Sequence, residues 1–171
     1  MIKREKWVDH NFNLGIAVSW APNILTRVRD TEIRLVYHTQ GLTEDQLSEN
    51  VRGTWSIKEH IGHLIDLEAL WIDRFGQFAA LREELVAADM SNQKTKTANH
   101  NTTPLTEMMA TFKSERNRVI QCFEKLPPNV MEHQAYHARL DVMMRPVDLL
   151  FFVAEHDDHH LTSIVEIKQK L

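Results

Sequence analysis

Residues 56–78 read SIKEHIGHLIDLEALWIDRFGQF, and this stretch decides the fold class. Ser56 and Glu59 have the spacing of a capping box, in which two side chains bond each other's backbone N–H groups at a helix start, and Trp55 precedes it as a possible hydrophobic staple. Apolar residues then recur in steps that keep them on one stripe of a helix: Ile57, Ile61, Leu64, Trp71, Phe75 and Phe78. The stretch therefore predicts a long amphipathic helix whose apolar stripe other elements must cover.

Three further segments show the same pattern, at about 22–39, 103–126 and from 146 to the C-terminus, and a short helical turn is expected at 44–48. Pro22, Pro104 and Pro146 suit helix starts, and Gly41 suits a helix end. The expected core residues are Leu25, Val28, Leu35 and Val36; Leu105, Met109, Phe112, Val119, Phe123 and Leu126; and Leu149, Val153, His156, His160, Ile164 and Ile167. We predict an all-α four-helix bundle that forms a single domain over 1–171.

Two segments lack this periodicity. The polar residues 91–102 are predicted to form a loop, longer than a simple reversal of direction requires, that either covers a site or moves freely. Residues 129–144 are predicted to be irregular, with a short extended piece at most. Glu68 and Arg116 each interrupt an apolar stripe, which is typical of a buried ion pair between two helices, so we assign both a structural role.

Composition argues against several classes of partner. A net charge of −4, with Lys and Arg scattered along the chain, provides no basic face for nucleic acid. The longest apolar run, residues 149–154, is far shorter than the roughly 20 residues of a membrane span. Cys122 is the one cysteine, and the first six residues lack the apolar run of a signal peptide. We expect a cytoplasmic protein without a nucleic-acid or membrane partner.

Histidine provides the candidate chemistry. His156 and His160 lie four apart on one helical face, so both rings can point towards one divalent metal. A third ligand must come from another helix, and His63 is the best candidate because its helix has to pack beside the last one. Hydrogen-bonded core histidines are the alternative, since they too would satisfy polar groups within an apolar stripe.

Other histidines are assigned away from the metal. The directions of His60 and His159 on their helices place them towards solvent or behind the ligands. His133 and His137 also lie four apart, but their segment shows no core-facing stripe. We therefore expect His133 and His137 to be surface or loop residues.

Two motifs carry a resemblance to a known family. Residues 53–68 read GTWSIKEHIGHLIDLE and resemble the Trp-Ser helix start, followed by His-Leu and an acidic residue, of the DinB/YfiT-like metalloenzymes. Residues 153–161 read VAEHDDHHL and resemble the closing His-x-x-x-His helix of the same family. The resemblance implies a four-helix bundle in which His63, His156 and His160 bind a divalent metal, zinc or nickel. It also implies that a low-molecular-weight thiol could be a co-substrate and that a homodimer is possible.

The chemistry implied by such a site is nucleophile activation. The resemblance favours metal-dependent S-transfer from a thiol to an electrophilic small molecule; metal-dependent hydrolysis is the first alternative, and a non-catalytic bundle with a binding or stress-related role is the second. Glu59 and Asp157 are candidates for orienting His63 and His156 or for accepting a proton, although capping also explains Glu59. A protein-interaction role would use Trp7, Trp20 and Trp55 as exposed anchors.

Overall fold

Four long helices dominate the structure, a computed structural model that describes residues 4–171 except for the side chain of Arg52. In chain order the helices are α1 (Ala21–Thr39), α2 (Glu44–Ser48), α3 (Ile57–Ala79), α4 (Gln93–Thr97), α5 (Leu105–Glu124) and α6 (Pro146–Lys168). Strands β1 (Ala135–His137) and β2 (Val142–Met144) pair antiparallel, with Tyr136 opposite Met143. The four-helix bundle expected from the sequence is confirmed.

Each long helix packs against two others. α1 contacts α5 and α6, and α3 also contacts α5 and α6, so the order around the bundle is α1, α6, α3, α5. The contact between α3 and α6 is the one that the histidine hypothesis requires. None of the helices in the described part of the chain is long and apolar enough to cross a membrane.

Local chemistry explains where two of these helices begin. At α3 the capping box forms as expected: Glu59 N–H donates to Ser56 Oγ (3.0 Å), and Ser56 N–H donates to Glu59 Oε2 (2.7 Å). At α6 the carboxylate of Asp148 accepts from the N–H groups of Arg145, Gly15 and Ile16. The N-terminal segment is thereby tied to the start of the helix that carries His156 and His160.

A polar layer divides the core into two apolar clusters. Each long helix contributes one buried residue to this layer: Thr31, Glu68, Arg116 and Asp157. Arg116 donates to both carboxylates and to the Val28 carbonyl, and Thr31 donates to Asp157. The predicted structural ion pair of Glu68 and Arg116 is therefore present, with Asp157 as a third member.

Some local expectations were wrong. Val36 is half exposed because Leu35, one residue before it, occupies the core-facing direction of α1. Met108, rather than Met109, is buried on α5. Residues 91–102 contain α4 and a 3₁₀ turn that pack on α3, instead of a loop without helix. Residues 129–144 include the short extended piece foreseen there, as the β1–β2 pair.

Candidate metal centre

The three histidines singled out by the sequence lie together between α3 and α6. One ring nitrogen of each of His63, His156 and His160 lies within 4.8 Å of one ring nitrogen of each of the other two. All three residues are buried, with exposed fractions of 5–6%. The three histidine rings therefore converge as expected from the sequence.

The spacing of these rings fits a common metal ligand set. His156 Nε2 and His160 Nε2 are 3.2 Å apart. Two nitrogens bound to one tetrahedral zinc at about 2.0–2.1 Å would lie roughly 3.3 Å apart. Burial is the main cause that lowers the pKa of His63 to about 4 and the pKa values of His156 and His160 well below the ordinary value. The rings are therefore neutral at neutral pH, which is the form that a metal requires.

A hydrogen-bonded chain orients the His63 ring. His63 Nδ1 lies 3.0 Å from Thr95 Oγ1, and the Thr95 hydroxyl donates to Asp66 Oδ2 (2.8 Å). His100 Nε2 lies 2.9 Å from the same carboxylate oxygen. Because the Thr95 proton is directed to Asp66, its oxygen accepts from His63 Nδ1–H, and the lone pair of His63 is then on Nε2. Thr95 and His100 belong to the segment expected to be a loop, so no pattern in the sequence pointed to them.

His160 is oriented by another histidine. Its Nδ1 lies 2.8 Å from His60 Nδ1, so one of these nitrogens donates and the other accepts. If His160 binds through Nε2, its proton is on Nδ1 and His60 accepts it. His60 is buried, so the expectation that it faces solvent was wrong. Its contact with His160 agrees with the other expectation, a position behind the ligands. His159 is partly exposed, and its ring packs beside Trp7 (centroids 5.4 Å apart).

The two carboxylates proposed to assist the ligands are engaged elsewhere. Glu59 caps α3 and accepts from Asn50 Nδ2 (2.6 Å). Asp157 points into the polar layer, whereas His156 lines the cavity, because neighbouring residues on a helix point about 100° apart. The buried Nδ1 of His156 has no hydrogen-bond partner among the described residues. Asp66, through Thr95, is the carboxylate that is linked to a candidate ligand.

The histidines line a cavity of about 310 Å³. Its walls include Trp7, Trp55, Trp71 and Phe152, and the Trp55 ring lies 5.0 Å from that of His63. Trp7 and Trp55 are only partly exposed, so among the three tryptophans proposed as exposed anchors only Trp20 is exposed. The aromatic walls make this cavity a suitable place to hold a small organic molecule beside the histidines.

His137 also lines this cavity, contrary to the position expected from the sequence. It is 3% exposed and lies on β1, where the strand pair turns it inward. The expectation of a surface or loop position was therefore wrong for His137. His133 is partly exposed and its Nε2 contacts the Arg82 carbonyl (2.8 Å), away from the three candidate ligands.

Comparison with known proteins places the chain in a family. A sequence model of the DinB superfamily matches residues 27–164, which is most of the chain. The chain belongs to the DinB superfamily. This DinB protein has no match in a search of curated protein sequences.

Two solved structures share its fold. YfiT from Bacillus subtilis, described as a probable metal-dependent hydrolase with an unusual four-helix bundle topology, is 16% identical, with a TM-score of 0.80 and coverage of 94% of this chain and 93% of YfiT. The mycothiol-dependent maleylpyruvate isomerase is 11% identical, with a TM-score of 0.68 over 84% of this chain. The chain spans 60% of that isomerase's length. These likenesses confirm the fold predicted from the two motifs.

Proposed function

We propose that this DinB protein is a metal-dependent enzyme in which His63, His156 and His160 hold one divalent ion, zinc or nickel. The observation that carries the proposal is the convergence of three neutral, buried imidazoles at one wall of an aromatic cavity. A metal with three histidine ligands and an open position lowers the pKa of a thiol or water there, and so supplies a nucleophile near neutral pH.

The surrounding residues would prepare this chemistry. His60 and the Thr95–Asp66 pair fix which nitrogen of His160 and His63 faces the centre. Trp55 and Trp71 pack against the rings of His63 and His156. The protein's own contribution is therefore a rigid ligand set beside an apolar surface that can hold the second reactant.

Transfer of a low-molecular-weight thiol to an electrophile is the favoured reaction. The description of the structurally similar maleylpyruvate isomerase as mycothiol-dependent supports this preference. A bound metal would lower the pKa of water as well as of a thiol, so the ligand set itself suits either nucleophile. Metal-dependent hydrolysis is the second candidate, supported by the description of YfiT.

The reaction classes can be separated with model substrates. Zinc- or nickel-loaded protein is mixed with 1-chloro-2,4-dinitrobenzene and either cysteine or glutathione, and separately with 4-nitrophenyl acetate without thiol. In the first reaction a C–S bond forms, the C–Cl bond breaks, chloride leaves and the thiol proton goes to solvent. Thiol-dependent turnover that His156→Ala abolishes and His133→Ala preserves is expected.

Turnover of the ester alone, lost in the same variant, would instead assign hydrolysis. A metal-loaded protein that accelerates neither reaction would contradict an enzymatic role with these substrate classes and favour a binding function.

A further inference from the structure

The cavity beside the histidines has a second, positively charged end. Arg74 and Arg139 line it, and neither makes an ion pair with a carboxylate anywhere in residues 4–171. Arg116 in the polar layer, by contrast, contacts two carboxylates. A buried guanidinium without a counter-charge is costly. The cavity therefore contains two positive groups that form no ion pair with the described residues.

Arg74 is held in a fixed position. It is 2% exposed, its Nε and Nη2 donate to the Val86 carbonyl (3.0 and 2.9 Å), and its Cζ lies 5.4 Å from the centre of a Trp71 ring. Burial, followed by the nearby charge of Arg139, lowers the pKa of Arg74 to about 10. The carbonyl satisfies two donors without neutralising the charge, so an anion in the cavity would be attracted to Arg74.

Arg139 and His137 add donors that have no partner. Arg139 Nη2 and His137 Nε2 are both buried without a hydrogen-bond partner among the described residues. The Leu140 N–H donates to the His137 carbonyl (3.1 Å) and also to His137 Nδ1 (3.3 Å), and the second contact favours the tautomer that carries its ring proton on Nε2. Two N–H donors in the cavity wall therefore lack an acceptor, which is unusual for buried polar groups.

The acidic residue in the lining of this cavity is already hydrogen-bonded. Asp89 lines the same cavity, but its carboxylate accepts from Ser91 N–H (2.8 Å), Ser91 Oγ (2.6 Å) and Gln93 N–H (2.9 Å). Two arginines against one aspartate give the lining of this cavity a net positive charge. An anion is thus favoured over a cation or a neutral polar group.

We propose that Arg74, Arg139 and His137 bind the carboxylate of a small substrate whose other end reaches His63, His156 and His160. Guanidinium groups match the planar geometry of a carboxylate and bind it strongly. The rings of Trp7, Trp71 and Phe152 lie between the two ends: Arg139 Cζ is 5.9 Å from Trp7, and Trp7 is 5.3 Å from the His156 ring. The substrate class is a carboxylic acid with an apolar middle section. This assignment rests on the proposed function only for the reacting end.

The test compares benzoate with benzamide, which has a similar shape but no charge. Binding is measured by isothermal titration calorimetry at pH 7.5, first with protein freed of metal by a chelator and then with zinc-loaded protein. The metal-free measurement prevents the carboxylate from binding to zinc instead. Benzoate is expected to bind metal-free protein at least tenfold more tightly than benzamide.

Variants locate the binding site. Arg139→Met retains much of the contact with Trp7 and Phe152 and should weaken benzoate binding at least tenfold while leaving benzamide within twofold. His137→Phe keeps a ring of similar size and should weaken benzoate several-fold. Arg118→Met removes the same charge from an exposed position on α5 and should change neither Kd more than twofold. Circular dichroism and thermal unfolding confirm that each variant is folded.

Equal binding of benzoate and benzamide by the native protein, or unchanged benzoate binding in folded Arg139→Met and His137→Phe, would overturn the proposal. Failure of the metal hypothesis has a different signature. In that case zinc does not bind, whereas benzoate binding to the metal-free protein and its loss in the variants persist.

Discussion

The positions of the ring protons at the candidate centre depend on single hydrogen bonds. His160 and His63 can each present Nε2 only if their Nδ1 atoms carry protons, and His60 and Thr95 are placed to accept them. Such partners typically change metal affinity 10–100-fold when they are removed. The chemistry of the site therefore depends on residues that would not touch the metal themselves.

Thr95→Val tests this dependence. Valine keeps the shape of threonine but removes the oxygen between His63 and Asp66, so zinc affinity should fall about 10–100-fold. Competition with a chromophoric chelator measures the Kd. Thr97→Val is the matched control, because the hydrogen bonds of the Thr97 hydroxyl within the described part of the chain go to carbonyls of its own helix. Equal zinc affinity in the native protein and Thr95→Val would show that Thr95 does not orient His63.

We expect the polar layer to stabilise the fold without taking part in metal binding. Arg116→Met leaves Glu68 and Asp157 buried without a counter-charge, and we expect the free energy of unfolding to fall by about 3–5 kcal/mol. Glu68→Gln should cost less, because Asp157 still pairs with Arg116. Urea unfolding gives both values, and elemental analysis should show that folded Glu68→Gln retains its metal. Metal loss in Glu68→Gln without loss of stability would refute the structural assignment.

At the level of elements, the attachment of residues 93–102 to α3 depends on the absence of a side chain at Gly62. A Cβ at this position would lie 2.2 Å from two His100 ring atoms. His100 in turn bonds Asp66, which bonds Thr95. Gly62 thus allows α4 and the following turn to lie against the helix that carries His63.

Gly62→Ala should therefore displace His100 and destabilise the protein, despite the higher helix propensity of alanine. Gly76→Ala on the same helix is the control, since a Cβ there meets nothing within 4 Å and should stabilise by roughly 0.5–1 kcal/mol. Thermal unfolding compares the two, and hydrogen exchange of residues 93–102 should accelerate only in Gly62→Ala. Adding His100→Ala should remove the clash. Stabilisation by Gly62→Ala comparable to that by Gly76→Ala would contradict this packing.

The long helices could be predicted from sequence because their start signals and apolar stripes are local. α3 begins at the capping box of Ser56 and Glu59, and α5 and α6 begin at or just after Pro104 and Pro146. α4 could not be predicted, because a five-residue polar helix has no apolar stripe and is stabilised by packing on α3. The same limit applies to β1, whose pairing with β2 turns His137 inward.

For the whole molecule, the sequence predicted the bundle and the meeting of α3 with α6, but not the charge of the cavity. Arg74 and Arg139 are separated by 65 residues, and Arg139 lies within residues 129–144, the segment that showed no helical period. Only the assembled bundle places them with Trp71 and His156 around one space. Long-range arrangements of this kind leave no spacing in the sequence that could reveal them.

The most direct measurement is the metal content of untagged protein, determined by elemental analysis after exposure to zinc or nickel and removal of free ions. We predict about one metal per native chain, loss of that metal in His63→Ala, His156→Ala and His160→Ala, and retention in His133→Ala, with folding checked by circular dichroism. A native protein that remains folded and metal-free, or folded ligand variants that keep their metal, would contradict a metal site at these three histidines.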